Sequence, residues 1–223
     1  FIQEQFRKTY HIKPAHVIPF GPDEQLFQYP PPEKDIDLLA AGSLIPLKQY
    51  GIFLELVQAI QQRIPSVKAV LCGSGPEAAV LQERAAELGL QNNLRFTGEM
   101  HYQKLLHYMQ RAKLFVHPSY YEGFGCVCTE ALCAGAYVIR FTQPMIKNMQ
   151  NSITVPSKAE MIRQSLELLE QYSIPEPVNE YPVERMTEKL AGLFGFDMPG
   201  NLQETGSNGH GRHLILEETP AGG

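Results

Sequence analysis

The sequence predicts an α/β domain built around a parallel sheet, and three observations predict it. Short apolar runs bounded by Gly or Pro alternate with amphipathic stretches of helical period along most of the 223 residues. One of these runs, LFVHPS at 114–119, passes through a Gly-flanked Phe into an unbroken helical stretch at 126–134, the strand–turn–helix junction of a βαβ unit. Apolar residues make up 43% of the chain and charged ones 19%, the balance of a globular protein that can bury a core.

Taken in order, residues 16–21 (HVIPFG) read as a short extended segment, followed by a Pro-rich connection at 29–32. The first strand is expected at 37–44, where apolar residues run up to a Gly-containing turn. Residues 51–63 read as a helix with Phe53, Leu54, Val57 and Ile60 on its core face, at the spacing of a single buried stripe. Strands are expected again at 67–72 and 94–97, with helices at 77–88 and 102–110 behind them. The run at 114–119 ends at a Pro, which stops a strand. A fifth strand is expected at 137–141 and a sixth at 152–155, then helices at 158–172 and 183–194. No internal repeat is apparent.

The organisation expected from this pattern is a leading segment at 1–34, an α/β domain at 35–198 and a tail at 199–223. The chain opens without Met inside an amphipathic helix (Phe1, Ile2, Phe6, Tyr10), as expected of a piece of a longer protein, and this opening does not read as a signal peptide. The tail is rich in Gly, Asn, Ser and Thr and too poor in apolar groups to offset the entropy of ordering, so disorder is expected there. His210 and His213 within it read as incidental.

The formal net charge of −5 and the lack of a Lys/Arg cluster exclude a phosphate-backbone reader, so nucleic acid is not expected as a partner. No apolar run approaches the roughly 18 residues of a membrane span. The four cysteines, Cys72, Cys126, Cys128 and Cys133, lack the paired Cys-x2-Cys spacing of a zinc site. Three of them fall on one expected helix and read as small buried thiols, which fits a reducing cytoplasm.

The functional signal is concentrated in EGFGCVCTEALCAG, residues 122–135. Gly123 and Gly125 let the backbone turn sharply and approach a ligand closely. The first free N–H groups of the helix beyond them form an anion site suited to phosphate. A carboxylate inside that helix repels phosphate, so Glu130 reads as an acceptor for hydroxyl groups such as those of a ribose. A phosphate cradle with a hydroxyl reader indicates a nucleotide.

Residues 118–139, PSYYEGFGCVCTEALCAGAYVI, resemble the Glu-x7-Glu signature of GT-B glycosyltransferases, in particular the retaining family 4. Pro118, Ser119, Gly123, Phe124, Gly125, Ala131 and Gly135 are all in register with it, whereas Ala136-Tyr137 stands where the family has a small residue and Pro. Gly42-Ser43-Leu44 with Lys48 resembles the family's Gly-Arg-Leu…Lys element, whose Arg and Lys bind the donor diphosphate. Lys48 fits that place and Ser43 replaces the Arg with a hydroxyl. Gly73-Ser74-Gly75-Pro76 resembles the Gly-x-Gly-Pro turn, read here as backbone geometry, and Phe96-Thr97-Gly98 the Phe-x-Gly beside the nucleobase, where Phe96 serves equally well as core. His117 reads as a core histidine, with a place in the donor pocket as the alternative, and Tyr120 and Tyr121 stand where they would shape the sugar site. Beyond Phe141 the family's Gly-Gly-x-x-Glu loop is replaced by TQPMIKNMQNS.

The resemblance covers roughly residues 17–193 and implies the C-terminal, Rossmann-like, doubly wound half of a GT-B fold, with the N-terminal acceptor half absent. It implies a hexosyltransferase that uses a nucleoside diphosphate sugar and retains configuration. Glu130 would hold the ribose, Phe96 and Gly98 would lie near the base, and Ser43, Lys48 and the amides of Phe124, Gly125 and Cys126 would hold the diphosphate. Glu122 would face the donor sugar as the catalytic carboxylate. No metal or other cofactor is implied, since Lys48 and the helix N-terminus take the metal's place. The full-length protein would be cytoplasmic, with peripheral membrane association open. Two alternatives remain: another GT-B enzyme, epimerase-like or phosphorylase-like, and a non-catalytic nucleotide- or partner-binding module.

Overall fold

The computed structural model describes residues 2–142 and 149–196; the expected tail at 199–223, with His210 and His213, lies outside the described residues. Six parallel strands form one sheet in the order β3-β2-β1-β4-β5-β6. They are β1 (Ile36–Ala41), β2 (Ala69–Cys72), β3 (Leu94–Gly98), β4 (Ala112–His117), β5 (Tyr137–Arg140) and β6 (Ser152–Thr154). The helices are α1 (Ile2–Tyr10), α2 (Tyr50–Gln61), α3 (Ala78–Glu87), α4 (Tyr102–Arg111), α5 (Cys126–Cys133), α6 (Lys158–Glu170) and α7 (Val183–Phe194). This is the doubly wound, Rossmann-like arrangement the sequence predicts.

Alternation along each strand builds two cores, one on each face of the sheet. Leu38, Ala40, Leu71, Leu114, Val116 and Ile139 pack under α2, α3 and α6. Leu39, Ala41, Val70, Phe115 and Val138 face α4 and α5. The four residues expected on the core face of α2 are fully buried. The buried run of β1 needs apolar residues on both faces, which is why it shows no polar alternation.

Most element boundaries shift by one to three residues from the sequence reading. β1 stops at Ala41, not Leu44, because Gly42 takes φ +146° and turns the chain off the sheet edge. β4 begins at Ala112, directly after α4, and ends at His117 before Pro118. Residues 16–21 pair with no strand; Gly21 instead packs so close to the Tyr181 carbonyl that a Cβ would overlap it. All four cysteines are free thiols, and Cys126 is the one that is partly exposed.

Candidate functional site

β1 and β4 are neighbours in the sheet, but the chain leaves them in opposite directions, to β2 and to β5. A crevice opens at the carboxyl ends of strands where the order reverses in this way. Of the residues singled out from the sequence, Ser43, Lys48, Glu122, Phe124 and Gly125 lie in the connections after β1 and β4, Cys126 and Glu130 on α5, and Phe96 and Gly98 on β3.

On the β1 side, a single 3-10 turn at Pro46–Lys48 and a left-handed Gln49 (φ 53°) lead into α2 and project Lys48. On the β4 side, residues 118–125 connect to α5. The Ser119 hydroxyl ties the two loops together, lying 2.8 Å from the Tyr121 carbonyl and 3.2 Å from that of Leu47. Lys48 Nζ pairs with Glu122 Oε1, and His117 Nε2 lies 2.9 Å from the same oxygen. His117 is buried and stacked near Phe115, so it belongs to the core and to the site at once.

Burial would raise the pKa of Glu122, but the bonds from His117 and Lys48 outweigh it and hold the carboxyl at about 2, against an ordinary 4.5. The folded value lies below the unfolded one. The carboxylate therefore contributes stability that is complete above about pH 4.5 and is lost as pH falls towards 2. The stability gap between wild type and Glu122→Gln is expected to shrink by on the order of 2–3 kcal/mol between about pH 6 and pH 2, read by urea unfolding. A gap that ignores pH would contradict the Lys48–Glu122–His117 cluster.

Gly125, the N-cap of α5, adopts φ +75° and offers no side chain to cap the helix. Its first-turn amides therefore meet no capping side chain at the crevice. One turn into the helix, Glu130 is 8% exposed. Tyr102, at the start of α4, donates its hydroxyl to Glu130 Oε1 at 3.0 Å. Burial raises the Glu130 pKa and the tyrosine bond opposes the rise. Tyr102 was not legible as a site residue, since only the packing of α4 against α5 brings its ring to Glu130.

Three turns are stitched together beside this crevice. Leu44 N–H donates to the Ser74 carbonyl at 2.8 Å, Gly42 N–H to Cys72 at 3.0 Å, and Gly73 N–H to Gly98 at 2.9 Å. The Gly73–Pro76 turn thus has the backbone role expected of it. Ser43 is exposed on the first turn and Gly98 (φ 68°) on the third. Phe96 packs partly buried against the α2–α3 core, while Phe124 sets its ring edge-on to Tyr181 at 5.1 Å. Tyr120 stacks on Phe141 with ring centroids 4.4 Å apart, at the mouth of the loop. A cavity of about 240 Å³ at the amino ends of β1–β3, lined among others by Asp35, Lys68 and Arg111, holds none of these residues.

Residues 22–174, more than half of the chain, match the family model of glycosyl transferases group 1. The chain belongs to that family. Among curated members, it is 29% identical over 102 residues to the 2-deoxystreptamine N-acetyl-D-glucosaminyltransferase of Niallia circulans, covering 46% of this chain and 26% of that protein. It is 30% identical over 137 residues to the phosphatidylinositol N-acetylglucosaminyltransferase gpi3 subunit of Schizosaccharomyces pombe, covering 60% and 30%. The group 1 chain therefore spans less than a third of the length of either relative.

Solved structures agree on the fold. The pneumococcal O-GlcNAc transferase GtfA, solved with UDP and GlcNAc, superposes with a TM-score of 0.74 at 22% identity, covering 87% of this chain and 42% of that one. The C-terminal domain of a group 1 glycosyl transferase, LpcC of Francisella tularensis, superposes with a TM-score of 0.56 at 17% identity, covering 78% of this chain and 95% of that domain. Among the described residues, no helix is long and apolar enough to cross a membrane, and no group of three or more His, Cys, Asp and Glu side chains could hold a metal ion.

Proposed function

We propose that this chain is the donor-binding domain of a retaining glycosyltransferase, of the family 4 type, that passes a hexosyl group from a nucleoside diphosphate sugar to an acceptor. The observation that carries this reading is the convergence of Lys48, Glu122 and the uncapped start of α5 on one crevice, with Glu130 buried one turn along the helix. The diphosphate lies across the α5 amides of Gly125 and Cys126, where the helix dipole favours negative charge. Lys48 neutralises charge as the diphosphate leaves. To do so it swings from Glu122, freeing that carboxylate for the donor sugar while His117 keeps it oriented. Glu130, held by Tyr102, accepts from the two ribose hydroxyls.

A GtfA structure and one of Anabaena HepE were both solved with UDP, which supports the donor class. In this reading the cationic Lys48 and the helix N-terminus do the work of a metal, the acceptor is held by a facing N-terminal domain, and nucleic acid plays no part. The protein works in the cytoplasm, with peripheral membrane association when the acceptor is a lipid.

Titration calorimetry against UDP, GDP and ADP tests the assignment. The preferred nucleotide should bind with the same affinity in EDTA as in millimolar Mn2+. Glu130→Ala should weaken it by about 1.5–3 kcal/mol, since a charged acceptor for two hydroxyls is lost. Unchanged affinity in a folded Glu130→Ala variant would remove Glu130 from the site. A large loss in EDTA would mean that a metal holds the phosphates.

A further inference from the structure

Arg140 ends β5 at the same edge of the sheet as the candidate site, and it is 2% exposed. The β4–β5 register sets it beside His117, so both side chains project to the α5 face. Its Nη2 donates to Ser152 Oγ at 3.0 Å. Its Nη1 lies 4.0 Å from the point that a Cβ on Gly125 would occupy, beneath the first turn of α5. Its Nε is buried with no acceptor. Among the described residues no carboxylate pairs with it.

Arg140 also hydrogen-bonds the Cys128 thiol on α5, which does not supply the missing charge. Burial pushes the Cys128 thiol up to about 11 despite the arginine, so it stays neutral. A buried guanidinium is costly unless it meets an anion, and the positive end of a helix repels it further. Both features are of the wrong sign for the folded protein alone and of the right sign for an anion bound at that helix end. On the opposite wall Ser43 carries no charge and Lys48 is shared with Glu122.

We infer that Arg140 is a binding residue for the donor's diphosphate, a fixed positive charge beneath the α5 cradle. The inference rests on the donor-site reading above and adds a cation from β5 to it. Because Arg140 itself is buried beneath the helix, solvent screens its charge poorly, and it acts on an anion a few ångströms away without direct contact. Arg140 therefore serves the phosphates, not the nucleoside.

The test compares wild type, Arg140→Met and Arg140→Lys in the 223-residue chain, titrated with UDP, GDP and ADP and with the matching nucleosides. Arg140→Met should lose about tenfold or more in affinity for the nucleoside diphosphate while its nucleoside affinity stays within about twofold. Arg140→Lys should keep most of the diphosphate affinity, and the wild-type advantage should shrink as NaCl rises from about 50 to 500 mM. Without ligand, Arg140→Met should melt at or above the wild-type temperature, because an unpaired buried charge has been replaced by a side chain of similar length.

A methionine variant that unfolds, or that loses nucleoside and diphosphate binding together, would make Arg140 a structural residue and overturn the inference. Unchanged diphosphate affinity would overturn it as well. In either case the donor-site reading stands if wild type binds the diphosphate. Both fall if wild type binds none of the three.

Discussion

Assayed alone, the 223 residues are expected to bind a nucleoside diphosphate sugar and to transfer none of it. All six described strands belong to a single sheet, and the crevice at the β1/β4 switch point opens to solvent with no facing domain among the described residues. Transfer requires donor and acceptor to be held in a near-attack geometry, an effect that can account for about 7–11 kcal/mol of the barrier. A crevice without a facing wall also admits water, so slow donor hydrolysis is the most these residues should show. The expected deficit is about 10⁵-fold or more relative to a two-domain enzyme. Incubation with labelled donors and mixed sugar, lipid and protein acceptors, with binding followed in parallel, reads both halves of the prediction. Robust transfer would place an acceptor site within these residues and sink the half-enzyme reading.

The second large effect is expected at Gly73. A Cβ there would lie 1.9 Å from the Gly42 carbonyl oxygen and 2.9 Å from its carbon, and the backbone already sits at φ +131°. The obstacle is main chain, so no rotamer change relieves it, and the turn that carries Ser43 and leads to Lys48 must shift. Gly73→Ala should therefore lose about 3–4 kcal/mol from overpacking and backbone strain together. That corresponds to a fall in melting temperature of roughly 6–15 °C for a domain of this size. Gly51→Ala is the matched control. It lies in the first turn of α2, and a Cβ there meets nothing within 4 Å, so the change should be neutral or add about 0.5–1 kcal/mol. Thermal unfolding of the two variants beside wild type decides the matter. Gly73→Ala melting with wild type would mean that the two turns are not packed against each other as described.

Much of the site was legible before the fold. Glu122, Gly125 and Glu130 stood out because they fall in register with the Glu-x7-Glu signature they resemble, and Lys48 because it matches the resembling element after β1. Phe96 was divided between core and site, and its side chain lies against the α2–α3 core. His117 was read as core or pocket, and it is buried while bonded to Glu122.

What the sequence by itself determined was the alternation of strands and helices, the core face of α2, the two glycine turns and the glycine start of α5. Each of these follows from local chemistry: side-chain period, breakers and the φ freedom of glycine. Tertiary structure alone decided which groups share charge. Lys48 and Glu122 are 74 residues apart and Tyr102 and Glu130 are 28 apart. Arg140 reaches the α5 cradle only because β5 pairs with β4 in a register that sets it beside His117. Strand order and register bring these side chains together through the packing of the whole sheet, which no window along the chain contains.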